Sequence, residues 1–330
     1  MPARGPNNAA KDLFLATRPF AKENRVKSWL LALSTLFLML AALAGTVWNV
    51  HLAGKIACSI LAGLLMVRMF VIYHDHQHRA ILDRSPAANV LMTLFGLFIM
   101  APTSIWKRSH DYHHKHNSKL FSASIGSYPI MTRSKFLAAS PAERRRYLFT
   151  RHPLTIFFGY FFMFIWGMCV SSFTSNSRKH IDSLLALVLH AGAYFLILYF
   201  GGWQMLLLSW VFPFMLACGI GSYLFYAQHN FPGVTFKNNV EWSYDYAALE
   251  SSSYMKLNPL MRWFTGNIGY HHIHHINARI PFYRLPEVMQ SIPELQKAKM
   301  TNMHPGEIFR CLRLKVWDPE KGKMIGLKEV

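Results

Sequence analysis

The segment IACSILAGLLMVRMFVIYHDHQH, residues 56–78, decides the architecture. From Ile56 to Tyr73 it is apolar except for Arg68, which sits near one end and can snorkel to the interface. A bilayer crossing needs roughly 20 apolar residues, so this run reads as a membrane helix. It then breaks into His74-Asp75-His76-Gln77-His78. The helix therefore delivers a cluster of imidazoles to a membrane surface.

The rest of the chain agrees. It has 330 residues, of which 52% are hydrophobic and only 15% charged, too apolar for an ordinary soluble domain. Ser28–Gly54, Ser85–Trp106, Pro153–Ser177 and Ser183–Phe236 contain no Asp, Glu, Lys or Arg. The last is long enough for two crossings, and Gly201-Gly202 is the natural turn within it. A cleaved signal peptide is excluded at the first run by its length and by the charged leader before it. No linker, repeat or low-complexity stretch divides the chain, so a single domain over 1–330 is expected. Cys58, Cys169, Cys218 and Cys311 form no CxxC pair and read as reduced packing residues.

The formal charge is +19. Residues 1–27 carry six Lys/Arg against two acids, and residues 118–152 carry seven against one, while the turns near 50–54 and 201–202 carry none. That asymmetry is the positive-inside pattern beside anionic lipid rather than a nucleic-acid footprint, and no nucleic-acid partner is expected. The N-terminus and the 118–152 loop should be cytoplasmic.

Histidine carries the chemistry. Eleven of the 17 histidines fall in three short clusters. Positions i, i+3 and i+4 share one face of a helix. His74 and His78 are i and i+4; His110, His113 and His114 are i, i+3 and i+4; His271, His274 and His275 repeat that pattern. Each cluster can aim two or three imidazoles at one place. Eight imidazoles exceed what one tetrahedral zinc needs, and two ions with open positions fit the count better. Nitrogen ligands suit iron, zinc or copper, so the residues leave the metal open. His76, His116 and His272 lie off these faces and are expected behind the ligands or at the surface. Asp75 and Asp111 each follow a cluster histidine and could orient an imidazole, or could be solvated or helix-capping.

These three clusters resemble the histidine boxes of membrane fatty acid desaturases. The lead-in Trp106-Lys107-Arg108-Ser109-His110 is similar, and so is Asn267-Ile268-Gly269-Tyr270-His271 with its continuation Arg279-Ile280-Pro281-Phe282-Tyr283-Arg284-Leu285-Pro286-Glu287. The latter resembles the acyl-lipid, omega-6 or delta-12 branch. The first box departs from it, with His76 and Gln77 where His-Asp-Cys-Gly-His is common. The resemblance implies a fatty acyl lipid substrate, O2, two iron ions and His229 as a ninth ligand. It also implies an external electron donor of ferredoxin or cytochrome b5 type, because no His-Pro-Gly-Gly segment is present. Asn267 could help hold a metal-bound water or cap its loop. Arg144-Arg145-Arg146 could dock an acidic donor or contact lipid phosphates.

A shared site puts all boxes on one side, and parity then limits the crossings. The expectation is an all-α integral membrane protein with four transmembrane helices at about 29–49, 55–73, 183–200 and 203–225. Re-entrant or interfacial helices are expected at about 88–104 and 154–173, and a cytoplasmic cap at about 74–86, 105–152 and 226–330. A fatty acyl hydroxylase or a carotenoid or sterol oxygenase shares this ligand logic. A membrane metal transporter or sensor would need ligands along a transmembrane path. Only His190 lies deep in an apolar run, where it reads as a packed histidine. The aromatics Phe157–Phe164 read as membrane packing.

Overall fold

A computed structural model describes residues 6–48, 51–120, 128–237 and 240–330. Asn49 and Val50, at the first expected turn, and 121–127 of the basic loop lie outside the described residues. The chain is mostly helical.

Helix α1, Arg25–Val47, starts at Asn24, whose side chain accepts from the Lys27 amide. Helix α2, Leu52–Gln77, packs against it. Both are long and apolar enough to cross a membrane. Helix α3, Pro86–Phe98, is capped by the Ser85 side chain and opened by proline. Helix α4, Thr103–His116, follows after a bend of 92°. Met100 lies in that bend with φ 60°. A polar helix carrying a box cannot continue an apolar one into lipid, and the bend separates the two.

The segment Tyr160–Val170 is a π-helix, continued by the α-helical turn Ser171–Ser175. At about 1.5 Å per residue the pair is shorter than the roughly 30 Å hydrocarbon core. Residues Ile181–Ala227 form one apolar helical run of 47 residues, about twice what one crossing needs. It breaks where the turn was expected. Gly202 is non-helical at φ 70°, ψ −175°, a kink within helix α5, Ile181–Leu206; after a π turn, helix α6, Phe212–Ala227, follows. Near the break, Phe200 and Trp203 are 78% and 74% exposed, as lipid-facing side chains are in the isolated chain.

Helices α2 and α6 approach closely. A Cβ on Gly63 would lie 2.9 Å from the Pro213 carbonyl oxygen, so the small residue sets the interhelical distance. Beyond α6 the chain builds short helices, including α7, His271–Ile276, and α8, Pro305–Arg313. Two small sheets depart from the all-helical expectation. Strands β1, Tyr254–Lys256, and β2, Met300–Asn302, pair in parallel; β3, Val316–Asp318, and β4, Lys323–Ile325, pair antiparallel. Strands of three residues are too short to show a period of two. The four cysteines are free.

A leucine at Gly63 should force α2 and α6 apart and cost about 1–3 kcal/mol, read as a lower Tm of the detergent-solubilised protein. Gly192→Leu, where an added Cβ meets nothing within 4 Å, should leave Tm near that of the unaltered chain.

Candidate metal centre

Four pieces of chain meet where α2 ends. The last turn of α2 supplies His74, and His78 is its C-cap. One face of α4 supplies His110, His113 and His114, and α7 supplies His271, His274 and His275. His229 lies two residues beyond α6. These nine histidines form two groups. His74, His78, His110, His114 and His274 make one; His113, His229, His271 and His275 make the other. Within each group the nearest ring nitrogens all lie within 4.8 Å of one another.

The closest approaches are between Nε2 atoms. His74–His110 is 2.8 Å, His110–His114 is 3.2 Å and His114–His274 is 3.0 Å. In the second group His229–His271 is 2.9 Å, His271–His275 is 3.1 Å and His113–His275 is 3.1 Å. Two nitrogens bound about 2.1 Å from one ion at right angles stand about 3.0 Å apart. Tautomers point the same way. Asp75 Oδ1 accepts from His74 Nδ1 at 3.1 Å, and the Ser251 carbonyl accepts from His229 Nδ1 at 3.0 Å. Each then turns a bare Nε2 lone pair into its group. Such lone pairs cannot all be satisfied by one another's protons, whereas a shared cation satisfies them together. Among the described residues, the buried Nε2 of His78 has no hydrogen-bond partner.

Electrostatics keep the rings neutral. Burial, followed by mutual repulsion among the imidazolium forms, holds His78, His110, His113, His114, His271, His274 and His275 well below the ordinary histidine range. Burial lowers His229 to about 4. The neutral ring is the form that ligates a metal. An all-nitrogen set of five and four could hold two ions of iron, zinc or copper type.

The supporting residues divide. Asp75 also accepts the Phe282 amide through Oδ2 at 2.6 Å, fixing the first box against the segment after the third. Asp111 points outward and pairs with Lys107 at 2.9 Å. It orients no imidazole, because α4 exposes the face on which Asp111 lies. Asn267 adopts φ 58° and donates to the Phe282 carbonyl at 3.1 Å, a loop-holding contact. His76 bonds the Ile81 carbonyl and Asn89, His272 the Leu295 carbonyl, and His116 the Tyr112 carbonyl, so all three lie outside the groups. His190 is a packed histidine, bonded to Tyr160 and accepting from Trp210 Nε1 at 3.0 Å. Sequence reasoning missed the wall behind His110, where Trp106 stacks with ring centroids 4.8 Å apart. Their i, i+4 spacing was the available signal.

Beneath the histidines lies a narrow apolar cavity. Met66, Val67, Phe70 and Val71 of α2 form one wall, and Ala217, Cys218, Gly221 and Phe225 of α6 the other. Phe164 lines it too, unlike the exposed Phe157 and Trp166 of the same region. Its head is closed by His74 and His271, one from each group.

A polar cluster fit for metal over an apolar slot defines a membrane enzyme acting on a long hydrocarbon. The chain belongs to the fatty acid desaturase family, whose model matches residues 51–305. It is 29% identical over 279 residues to a fatty acid desaturase of Bacillus subtilis (strain 168), covering 83% of this chain and 78% of that one. It is 25% identical to a chloroplastic omega-6 fatty acid desaturase of Arabidopsis thaliana, covering 73% of this chain and 53% of the relative, about half its length. A third relative is the sn-1 acyl-lipid omega-3 desaturase (ferredoxin) of Nostoc sp. (strain 36), 24% identical over 78% of this chain and 70% of that one.

Protonation should oppose the cluster. Unfolding exposes imidazoles that bind protons near pH 6.5, while the folded rings bind them only at lower pH, so the unfolded state holds more protons below about 6.5. Stability therefore rises with pH there. The chelator-treated protein should lose Tm steadily from pH 7 to pH 5, measured by tryptophan fluorescence in detergent.

Proposed function

We propose that this protein introduces a cis double bond into an acyl chain of a membrane lipid, with O2 as oxidant and two iron ions in the histidine groups. One observation carries the reading: the apolar cavity between α2 and α6 ends against one histidine from each group. A methylene chain lying in that cavity brings its carbons to the ligands without meeting a polar wall.

The balanced reaction takes one –CH2–CH2– unit, O2, two electrons and two protons to –CH=CH– and two waters. The irons, when bound, supply the oxidising chemistry that unactivated C–H bonds demand. The chain's residues supply position and dryness. The nine imidazoles would hold the metal without adding negative charge. Asp75 keeps His74 in the ligating tautomer, and Ser251 does so for His229. Trp106 and Phe70 pack edge to face 4.9 Å apart, closing the space behind His110 and His74. The aliphatic and aromatic cavity walls exclude water from the reacting carbons.

In the membrane, α1, α2, α5 and α6 are the four crossings on this reading. The bent α3–α4 pair and Tyr160–Ser175 enter without crossing, which leaves every box on the cytoplasmic side. The electrons come from a separate carrier. The Nostoc relative's name specifies ferredoxin, and that supports a carrier of the same kind here.

Expression in a host that lacks polyunsaturated lipids but supplies a ferredoxin should yield a new acyl double bond by gas chromatography. His113→Ala should reduce it at least about 100-fold, as loss of metal does. A hydroxylated chain, or an unchanged lipid profile, would sink the desaturase reading. A reporter fused at Asn176 should give a cytoplasmic signal; a periplasmic or lumenal one would overturn the four-crossing arrangement.

A further inference from the structure

The histidine-bearing helix α4 has a second face. His110, His113 and His114 point inward, while Lys107, Arg108, Asp111, Tyr112 and Lys115 line a broad groove open to solvent. The groove continues past the start of α4. Ser104 donates from its amide to Asp182 Oδ2 at 3.0 Å and from its hydroxyl to Oδ1 at 2.6 Å. Those bonds tie the exposed Arg178-Lys179 turn to the same end of the groove. Arg108 is one helical turn beyond Ser104 and shares its face. Five cations thus stand against two carboxylates. Asp111 is neutralised by Lys107, and Asp182 is engaged by Ser104.

The groove borders the least enclosed part of the histidine cluster. Lys107 Nζ donates to the Gln77 carbonyl at 3.4 Å, beside His78. His78 is the one member of its group that is only half-buried. A helix with its side chains is about 10–12 Å across, so α4 alone separates the groove from the ligands.

We infer that this groove is the docking surface for an acidic one-electron carrier protein of the iron–sulfur type. The inference rests on the proposed reaction, which needs two electrons for each double bond. Two successive carriers dock and each gives up one electron; these two electrons, two protons and the two hydrogens of the –CH2–CH2– unit together reduce O2 to two waters. Complementary charge steers the encounter and sets its register. Cations held on one side of a concave groove complement the curved acidic surface of a protein better than a flat plane of lipid phosphates. The basic run Arg144–Arg146 is less suited. Arg144 is already used within the fold, donating to the Ala139 carbonyl at 3.0 Å and lying over the Phe136 ring.

The test uses the metal-loaded protein in phosphatidylcholine nanodiscs and an acidic [2Fe–2S] ferredoxin as probe. Binding is measured at low and at near-physiological salt. Arg108→Glu/Lys115→Glu should weaken it about tenfold or more and flatten its salt dependence. Arg145→Glu/Arg146→Glu should bind like the unaltered protein. Metal content and Tm of both variants are checked against the unaltered chain, and dithionite-driven turnover, which needs no docking, should stay unchanged in both. Equal ferredoxin binding by the 108/115 variant would overturn the inference. So would a variant that keeps ferredoxin binding but loses co-purifying phosphatidylglycerol, since the patch would then serve lipid. Binding is read without turnover. Absence of desaturation by the unaltered protein would therefore count against the proposed reaction, while the binding comparison still decides the docking surface.

Discussion

Everything in this structure answers to one requirement: nine imidazoles must converge in two groups, with ring nitrogens close together and mostly away from water. Left alone, such an array is unfavourable. Each buried ring nitrogen without a partner forfeits about 1–3 kcal/mol of solvation, and facing lone pairs repel. Only a rigid frame can impose it. The frame here is the meeting of α2, α4, the end of α6 and α7, each delivering histidines at helical spacing or at a helix end. Asp75 and the Ser251 carbonyl then remove the tautomeric freedom that would let His74 and His229 turn a proton inward.

The same frame shapes the space below. Because α2 carries both His74 and the cavity wall of Met66, Val67 and Phe70, ligands and slot move as one rigid body. Gly63 lets α6 approach from the other side, and Gly221 and Ala217 leave room where a larger residue would fill the slot. The polar cluster and the apolar cavity are thus two ends of one helix pair.

Much of this was legible. Intervals of three and four residues placed eight histidines on common helix faces, and the structure gathers all eight. His229 was different: a lone histidine after an apolar run carries no spacing signal, and only family likeness pointed to it. The paired aspartates show the limit of local reading. Asp75 and Asp111 each follow a box histidine, yet one is enclosed at the end of α2 and the other faces solvent on α4. Neighbouring chain decides between them, and adjacency in sequence cannot. The break at Gly202 was visible as a glycine pair within an overlong apolar run. The π-helical character of Tyr160–Val170 and the three-residue strands had no sequence period to reveal them.

The bond from the Phe282 amide to Asp75 joins residues 207 positions apart. Each histidine group, too, contains at least one member from 271–275. Neither group is complete without the third box. The third box closes both ion sites at once, so the single short helix α7 decides whether either group is whole.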